Sequence, residues 1–334
     1  MFLFNKLVIG FIGCSTLALF VSAAGAPIDR TTHAPQAAFL IPDAVPEVIG
    51  ANESQLQEVI DEKVLITAGS LSTVFFKINY NLRSVRGGQG YVPRLFVTRL
   101  PNDMRRIGTT KKRKELFLQT VLPLILRAND EILAERKNLM KLSKLVLDGI
   151  HMKPEDRLWL AVMEDRYKVR RGGLDELVLR MDIIPPSLAL AQAAEESGWG
   201  TSRFVTEGNA LFGQWTEDSD RGLVPARRVA NRSYRIKSFE CLLDGVRAYI
   251  RNLNTHHAYR SFRANRWKAR QIGHVLEGQK LSQYLLPYSE RGEEYIRSLQ
   301  TIIKSNNLEK LDRAKLRDTE VRMRKISVRQ KPVI

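Results

Sequence analysis

The sequence has 334 residues, 44% hydrophobic and 27% charged. This composition is typical of a globular protein rather than a disordered one, and the length allows one good-sized core and a second, smaller one. Lys and Arg number 53 against 36 Asp and Glu, which gives a formal charge of +17 and a pI near 10.0. A chain with this charge is attracted to polyanions.

Residues 1–26 predict a signal peptide for export. Lys6 precedes the apolar run LVIGFIGCSTLALFV, and the small residues of SAAGAP follow, so cleavage is expected after Ala23, Ala24 or Ala26. An uncleaved signal that anchors the chain in a membrane is the alternative, and it would supply the membrane contact. An exported protein has little access to nucleic acid, so we expect no nucleic-acid partner. We therefore expect a protein of the periplasm or cell envelope, attracted to the anionic wall or an anionic membrane surface.

Neither cysteines nor histidines predict a reactive centre. Loss of the signal would remove Cys14 and leave Cys241 alone, so no intramolecular disulfide is expected. Cys241 lies beside a leucine pair, which favours packing over a nucleophilic role. His256, His257 and His274 lack partners at metal-ligand spacing, so we predict no metal site and no cofactor.

The chain up to residue 172 divides into a linker and a helix-rich region. Residues 27–48 contain four prolines and no sustained period, which predicts a linker. Residues 49–172 form the helix-rich N-terminal region, to which we attach no chemistry. Within it, the β-branched and aromatic residues 71–101 predict short strands or irregular structure. Residues 111–149 predict a helix that Pro123 kinks or divides, and a second helix begins at Pro154.

The composition changes near residue 172. After a short predicted helix, PSLALAQAAEES is apolar nearly all round and predicts a central helix that begins at Pro186 and stops at Gly198. Residues 201–239 predict a small β-lobe. Helical patterns then return in ECLLDGVRAYIRNLNTH, ARQIGHVLEGQKL and GEEYIRSLQTIIKSNNL. Residues 310–334 are a basic tail that we expect to be mobile or frayed, or attached electrostatically to a polyanion.

Two adjacent glutamates, Glu195 and Glu196, end the central helix. They fall on either side of the line through Leu188 and Gln192, so the helical wheel does not choose between them. The helix dipole is negative there and burial disfavours charge, so the pKa of whichever carboxyl faces inward should rise. A carboxylic acid that stays protonated near neutral pH suits a general acid. Two solvated glutamates at a frayed helix end are the alternative.

The stretch LALAQAAEESGWGTSRFVTEGNALFGQW resembles the signature of the peptidoglycan-cleaving β-N-acetylglucosaminidases of glycoside hydrolase family 73, which have a lysozyme-like fold. In that family an alanine-rich helix ends Glu-Ser-Gly-Trp-Gly, and Asn-x-Leu-Phe-Gly follows; here these are residues 196–200 and 209–213. The resemblance implies that Glu196 is the general acid. Glu195 stands where the family usually has an apolar residue, which implies a structural or supporting role.

Two later stretches, SFECLLDGVRAYIRNLNTHHAYRSFR and LLPYSERGEEYI, are similar to the Bax subgroup of bacterial glucosaminidase-domain proteins. YVPRLFVTRLP and the helical region after it resemble the front half of the same subgroup. The resemblance implies a mainly α (α+β) protein. Its lysozyme-like helical catalytic domain, residues 173–309, would carry a small β-lobe and follow the helix-rich N-terminal region.

Further site residues are implied by the same resemblance. Trp199 can place its ring under the cleft, and Asn209 opens the second half of the signature; we expect both to bind substrate. Phe212 and Trp215 either line a sugar subsite or fill the small lobe. Tyr288 falls where the family has a tyrosine facing the cleft, and its hydroxyl would hold the substrate acetamido group or steady a water. A hydrogen-bonded core tyrosine is the alternative.

Glycoside hydrolysis usually needs two carboxyl groups, and the second is missing from its usual place. Many family members carry it in the β-lobe, but residues 221–239 contain no acid. Asp218 and Asp220 are the nearest substitutes; otherwise the substrate 2-acetamido oxygen attacks the anomeric carbon, or catalysis is weak or absent. We predict a hydrolase that cuts β-1,4 bonds after N-acetylglucosamine in peptidoglycan strands. The alternative is a binding protein that grips glycan and recruits another wall enzyme.

Overall fold

The computed structural model describes residues 67–216, 222–224 and 235–318. The predicted signal peptide and linker, Asp218 and Asp220, and residues 319–334 of the basic tail lie outside the described residues. The α-helices of the described residues are α1 Ala68–Lys77, α2 Leu82–Arg86, α3 Thr110–Leu147, α4 Pro154–Arg166, α5 Leu174–Arg180, α6 Pro186–Ser197, α7 Arg203–Gly208, α8 Leu242–Thr255, α9 Arg260–Gln271, α10 Gly278–Leu281 and α11 Glu293–Ser305. Short 3₁₀ helices span Met104–Arg106, His257–Tyr259, Ser282–Tyr288 and Leu308–Arg313.

The β-lobe is a small antiparallel sheet. Its strands are β1 Trp215–Thr216, β2 Gly222–Leu223 and β3 Arg235–Lys237, in the order β1–β3–β2. Ile236 in the middle strand lies opposite both Trp215 and Leu223. The prediction of a mainly α protein with a small β-lobe, preceded by a helix-rich region, is confirmed.

The start of the described chain is helical rather than extended. The Thr67 side chain accepts a hydrogen bond from Ser70 N (3.1 Å) and begins α1, and Asn81 Oδ1 accepts one from Arg83 N (2.7 Å) and begins α2. Leu71 and Phe75 are buried on the inner face of α1. The prediction of strands is wrong for this part because capping and burial outweigh β-propensity. Beyond α2, as far as Asp103, the chain is irregular apart from a single β-bridge at Val92.

Two helix predictions need correction. Division of α3 at Pro123 is wrong, because the flanking turns are buried in the core and their packing outweighs the lost hydrogen bond; a kink at Pro123 stays a prediction. The helical pattern from Ala269 to Leu281 forms no single helix: α9 ends at Gln271, and Gly273 follows with φ 69°. In the part of the chain that the structure describes, no helix is long and apolar enough to span a membrane.

The main core joins the two halves of the chain. Residues between 68 and 128 share one hydrophobic cluster with residues between 184 and 316, whereas a smaller cluster is built from residues between 139 and 181. Helix α6 lies in the middle, against α3, α10, α11 and the 3₁₀ helix Leu308–Arg313. The change in composition near residue 172 therefore does not coincide with a break in packing.

Residues 308–318, which we call the C-terminal strap, pack against the rest of the fold. Leu308, Leu311 and Leu316 are buried. Val92 N donates to Lys315 O (2.9 Å) and Arg317 N donates to Val92 O (2.8 Å). The expectation of a mobile tail is thus wrong for residues 310–318, because its few apolar side chains all face the core.

Buried arginines hold helix ends next to the core. Arg266, which is fully buried, donates to Leu179 O (2.9 Å) at the end of α5 and to Asn254 Oδ1 (2.7 Å) in α8. Arg263 donates to Leu253 O (3.1 Å) and His256 O (2.8 Å) at the end of α8. Guanidinium groups neutralise the negative ends of these helix dipoles and satisfy their last carbonyls.

Candidate active site

Glu196 lies in the last turn of α6, immediately before a sharp change in chain direction. Gly198 ends the helix in the left-handed region (φ 57°), and Trp199 and Gly200 also have positive φ. Gly200 has φ 79° and a Cβ there would lie 2.8 Å from Leu100 Cδ1, so any other residue would be strained and would have to displace Leu100. The glycines of the signature therefore fix the direction in which the chain leaves Glu196.

A chain of hydrogen bonds reaches the Glu196 carboxyl through the core. Tyr249 Oη donates to Gln192 Oε1 (2.6 Å), and Gln192 Nε2 donates to Tyr295 Oη (3.0 Å). Tyr295 Oη in turn donates to Glu196 Oε1 (2.9 Å). The Gln192, Tyr249 and Tyr295 side chains are almost completely buried, so this chain is shielded from competing water.

The direction of these hydrogen bonds decides which carboxyl oxygen can carry a proton. Tyr295 has a single hydroxyl proton, and since its oxygen accepts from Gln192, that proton is directed to Glu196 Oε1. A protonated Glu196 therefore carries its proton on Oε2. This oxygen faces Gly213 of the Asn-Ala-Leu-Phe-Gly motif, where an added Cβ would lie 3.5 Å away. The absence of a side chain at Gly213 leaves room beside the acidic oxygen.

The surroundings raise the pKa of Glu196 from 4.5 to about 7. Burial is the largest cause, and the negative charge of Glu195 adds to it. The Tyr295 hydrogen bond and the Arg291 charge act in the opposite direction because they stabilise the carboxylate. Of the two adjacent glutamates, Glu196 thus has the properties that proton donation near neutral pH requires.

Glu195 has a different environment. Its carboxylate pairs with Arg291 Nη2 and accepts a hydrogen bond from Ser298 Oγ (3.0 Å). The Arg291 guanidinium also lies over the Tyr295 ring, 5.4 Å from its centroid. Glu195 therefore ties the Tyr-Ser-Glu-Arg-Gly segment to α6 and places a cation near Glu196, which is a supporting role.

Two further aromatic rings, those of Phe212 and Tyr288, stack on the tyrosines of this cluster. The Phe212 ring stacks on Tyr249 with centroids 3.8 Å apart, and the Tyr288 ring stacks on Tyr295 with centroids 5.5 Å apart. Tyr288 Oη donates to Phe212 O (3.3 Å). Burial and the nearby Glu196 charge raise the pKa of Tyr288 well above its ordinary value, so the phenol stays neutral. Tyr288 can donate a hydrogen bond here but cannot act as a base near neutral pH.

The predicted substrate-binding residues separate into two groups. Phe212 is 3% exposed, and Asn209 is 1% exposed with its Nδ2 donating to Phe239 O (2.9 Å) and Glu240 O (3.0 Å). The Trp199 ring packs edge-on to Phe117. Asn209 and Phe212 are thus packed in the fold and Trp199 packs on the N-terminal region, and contact of these three residues with sugar stays a prediction. Trp215 keeps 42% of its surface exposed and stays a prediction for sugar stacking.

The described residues form neither a metal site nor a reactive cysteine site. They contain no group of three or more His, Cys, Asp or Glu side chains placed to hold a metal ion. Burial raises the pKa of Cys241, and its Sγ lies 3.3 Å from Asp244 Oδ2. A thiol with a raised pKa is a poor nucleophile, which agrees with the predicted packing role.

Gln192, Tyr249 and Tyr295 form the hydrogen-bond chain to Glu196 that sequence reasoning missed. Gln192 had a visible signal: it is the polar residue one helical turn before Glu196 in an otherwise apolar helix. No spacing connects Tyr249 or Tyr295 to Glu196, since they lie 53 and 99 residues further along the chain. Their contacts exist because α8 and α11 both pack next to α6 in three dimensions.

Comparison with known proteins shows the family of this chain. The family model described as "Glucosaminidase: Mannosyl-glycoprotein endo-beta-N-acetylglucosaminidase" matches residues 175–308. The protein Bax of Escherichia coli (strain K12) is 34% identical over 202 residues, which cover 58% of this chain and 69% of Bax. This chain belongs to the Bax family of glucosaminidase-domain proteins. No solved structure matches it. The glucosaminidase match contains Glu196 and every residue of the hydrogen-bond chain that leads to it.

Proposed function

We propose that this Bax-family protein is a peptidoglycan hydrolase, an endo-β-N-acetylglucosaminidase that cleaves β-1,4 bonds in glycan strands with Glu196 as general acid. The observation that carries the proposal is the half-buried Glu196 carboxyl, which has a pKa raised to about 7 and is held at Oε1 by Tyr295. Family membership supports the same reaction class. Activity on the wall requires export, so the protein would work in the periplasm or cell envelope.

In the proposed reaction, Glu196 Oε2 gives its proton to the glycosidic oxygen as the bond from that oxygen to the anomeric carbon breaks. A water supplies the hydroxyl of the new reducing end, and its other proton passes to a carboxylate, either that of Glu196 or the second one. The positive charge at the anomeric carbon is stabilised either by a carboxylate, for which Asp218 and Asp220 are the candidates, or by the substrate 2-acetamido oxygen. Tyr288 orients that acetamido group or the water, and Trp215 stacks on a sugar ring.

The test is the release of reducing ends from purified peptidoglycan, with mass spectrometry of the fragments. The wild-type protein is expected to yield fragments with N-acetylglucosamine at the new reducing end. Glu196→Gln should lower the rate at least about 100-fold, since it removes the proton donor. The matched control is Glu207→Gln, which makes the same change at an exposed glutamate paired with Arg203, and it should retain the wild-type rate.

One observation favours a second candidate function, a glycan-binding protein without hydrolytic activity: residues 221–239 carry no acid. If the wild-type protein and Glu196→Gln both release nothing but both sediment with peptidoglycan, the binding function replaces the hydrolase. If the wild type is active, Asp218→Asn and Asp220→Asn distinguish the two sources of stabilisation. Loss of activity in either variant assigns the second carboxylate, and full activity in both assigns the acetamido oxygen.

A further inference from the structure

Six cations belong to two segments of the N-terminal region that contact the turn following Glu196. We call this group the basic surface; its members are Arg105, Arg106, Lys111, Lys112, Arg113 and Lys114. Arg105, Arg106, Lys111 and Lys112 are exposed. None of the six forms an ion pair with a carboxylate of the described residues. Most of this positive charge is therefore available to an anion from outside the chain.

Two contacts fix the basic surface to the candidate active site. Arg105 Nε donates to Thr201 O (2.6 Å), and Lys114 Nζ lies 4.5 Å from the centroid of the Trp199 ring. Both contacted residues belong to the turn that begins two residues after Glu196. The two cationic segments thus converge on that turn, although they belong to a region that the glucosaminidase match does not include.

These cations lower the stability of the folded protein when no anion is bound to them. Lys111, Lys112 and Arg113 lie in the first turn of α3, where the helix dipole is positive, and this turn contains no acid. Lys111 and Lys114 lie three residues apart on the helix, so their mutual repulsion adds to the cost. Stability therefore does not account for the arrangement, whereas binding of a polyanion next to Glu196 does.

We propose that the basic surface binds the carboxylate groups of the peptide side branches of peptidoglycan. The substrate would then be peptide-bearing glycan rather than bare glycan. This inference rests on the proposed function. The peptide branch is covalently attached to the glycan strand. Once the strand occupies the cleft, contact of its branch with the basic surface is therefore intramolecular. Nucleic acid or an anionic lipid surface has no such link to the bond that is broken.

The test compares two triple variants with the same change in net charge. Arg106→Gln/Lys111→Gln/Lys112→Gln neutralises the basic surface but leaves Arg105 and Lys114, which pack against the turn. The control Lys137→Gln/Lys141→Gln/Lys153→Gln neutralises three exposed lysines elsewhere that have no ion pair with the described residues. Each protein is assayed on intact peptidoglycan and on strands whose peptides an amidase has removed.

On intact peptidoglycan at low salt, the basic-surface variant should raise KM about tenfold with kcat unchanged, and the difference should shrink as salt is added. On peptide-free strands it should equal the wild type, and the control should equal the wild type on both substrates. The inference is overturned if the control raises KM equally, which would be an effect of net charge. It is also overturned if the loss persists on peptide-free strands.

Sedimentation in a Glu196→Gln background separates this inference from the proposed function, because it measures binding without catalysis. Binding to intact peptidoglycan should weaken about tenfold in the basic-surface variant even if the wild type proves inactive. An unchanged binding constant contradicts the inference whatever the activity. A basic-surface variant that loses binding to DNA or to vesicles of anionic phospholipid, but not to intact peptidoglycan, assigns the surface to that other polyanion instead.

Discussion

The protonation of Glu196 is a balance between opposing contributions from its neighbours. Burial and Glu195 disfavour the carboxylate, while Tyr295 and Arg291 favour it, and the resulting pKa is about 7. Because a general acid must be protonated, the proposed activity should fall as the pH rises through this value. The same residues that position the carboxyl therefore also set the upper pH limit of the reaction.

Tyr295→Phe tests that balance. The substitution removes the hydroxyl that stabilises the ionised form of Glu196, so the pKa of Glu196 should rise. The descending limb of the pH dependence of kcat/KM should then move to higher pH than in the wild type. Tyr91→Phe is the matched control: it makes the same change at an exposed tyrosine distant from Glu196 in the sequence, and it should leave the descending limb in place. A limb that stays near pH 7 in Tyr295→Phe would mean that the hydroxyl does not control this proton.

At the scale of elements, helix α6 is held at both ends by other parts of the chain. The turn after its C-terminus packs on Leu100 and Phe117 of the N-terminal region. At its N-terminus, Asp312 of the C-terminal strap accepts hydrogen bonds from Ser187 N (2.8 Å) and Gly278 N (3.0 Å). Burial raises the pKa of Asp312 to about 6, and the hydrogen bonds from Ser187 and Gly278 act against this rise by stabilising the carboxylate at the positive end of the dipole. Through these hydrogen bonds the strap holds the helix that carries Glu196.

Asp312→Ala is expected to destabilise the protein by about 2–4 kcal/mol, because two backbone donors near the core lose their partner. Urea denaturation followed by circular dichroism measures the change. Asp318→Ala, which removes an exposed carboxylate from the same strap, should change the free energy of unfolding by less than about 0.5 kcal/mol. Equal stabilities of the two variants would show that the Asp312 contacts contribute nothing.

At the scale of the whole molecule, the region that matches the glucosaminidase family shares its hydrophobic core with the rest of the described chain. Phe117, Val121 and Leu124 of α3 belong to the same cluster as Leu188 and Leu190 of α6. Leu316, beyond the family match, is part of it as well. The N-terminal region and the strap therefore supply part of the hydrophobic core.

A fragment limited to residues 173–309 should consequently fail to form a native core. We expect it to bind a hydrophobic dye, to lack the near-ultraviolet circular dichroism of packed aromatic side chains, and to unfold without a cooperative transition. A fragment of residues 67–318 contains the whole cluster and should unfold cooperatively. Cooperative unfolding of the shorter fragment would contradict the shared core.

Local sequence was sufficient to predict structure where the backbone preferences of single residues determine it. Pro186 and Gly198 set the two ends of α6 because proline and glycine act through their own backbone preferences. It was insufficient for residues 71–86, whose β-branched and aromatic side chains fit a buried helix face equally well. It also failed for residues 310–318, where a few apolar side chains among many charges were enough to attach the strap.

The sequence by itself determined the helical class, the small β-lobe, the family signature and the position of a carboxyl at the end of an apolar helix. All of these depend on residues close together in the chain. Only the tertiary structure decided that burial raises the pKa of Glu196, and that Tyr295 and Arg291, about a hundred residues further along the chain, partly offset this rise. Burial and hydrogen bonding of a carboxyl are properties of its three-dimensional surroundings, and periodicity along the chain does not contain them.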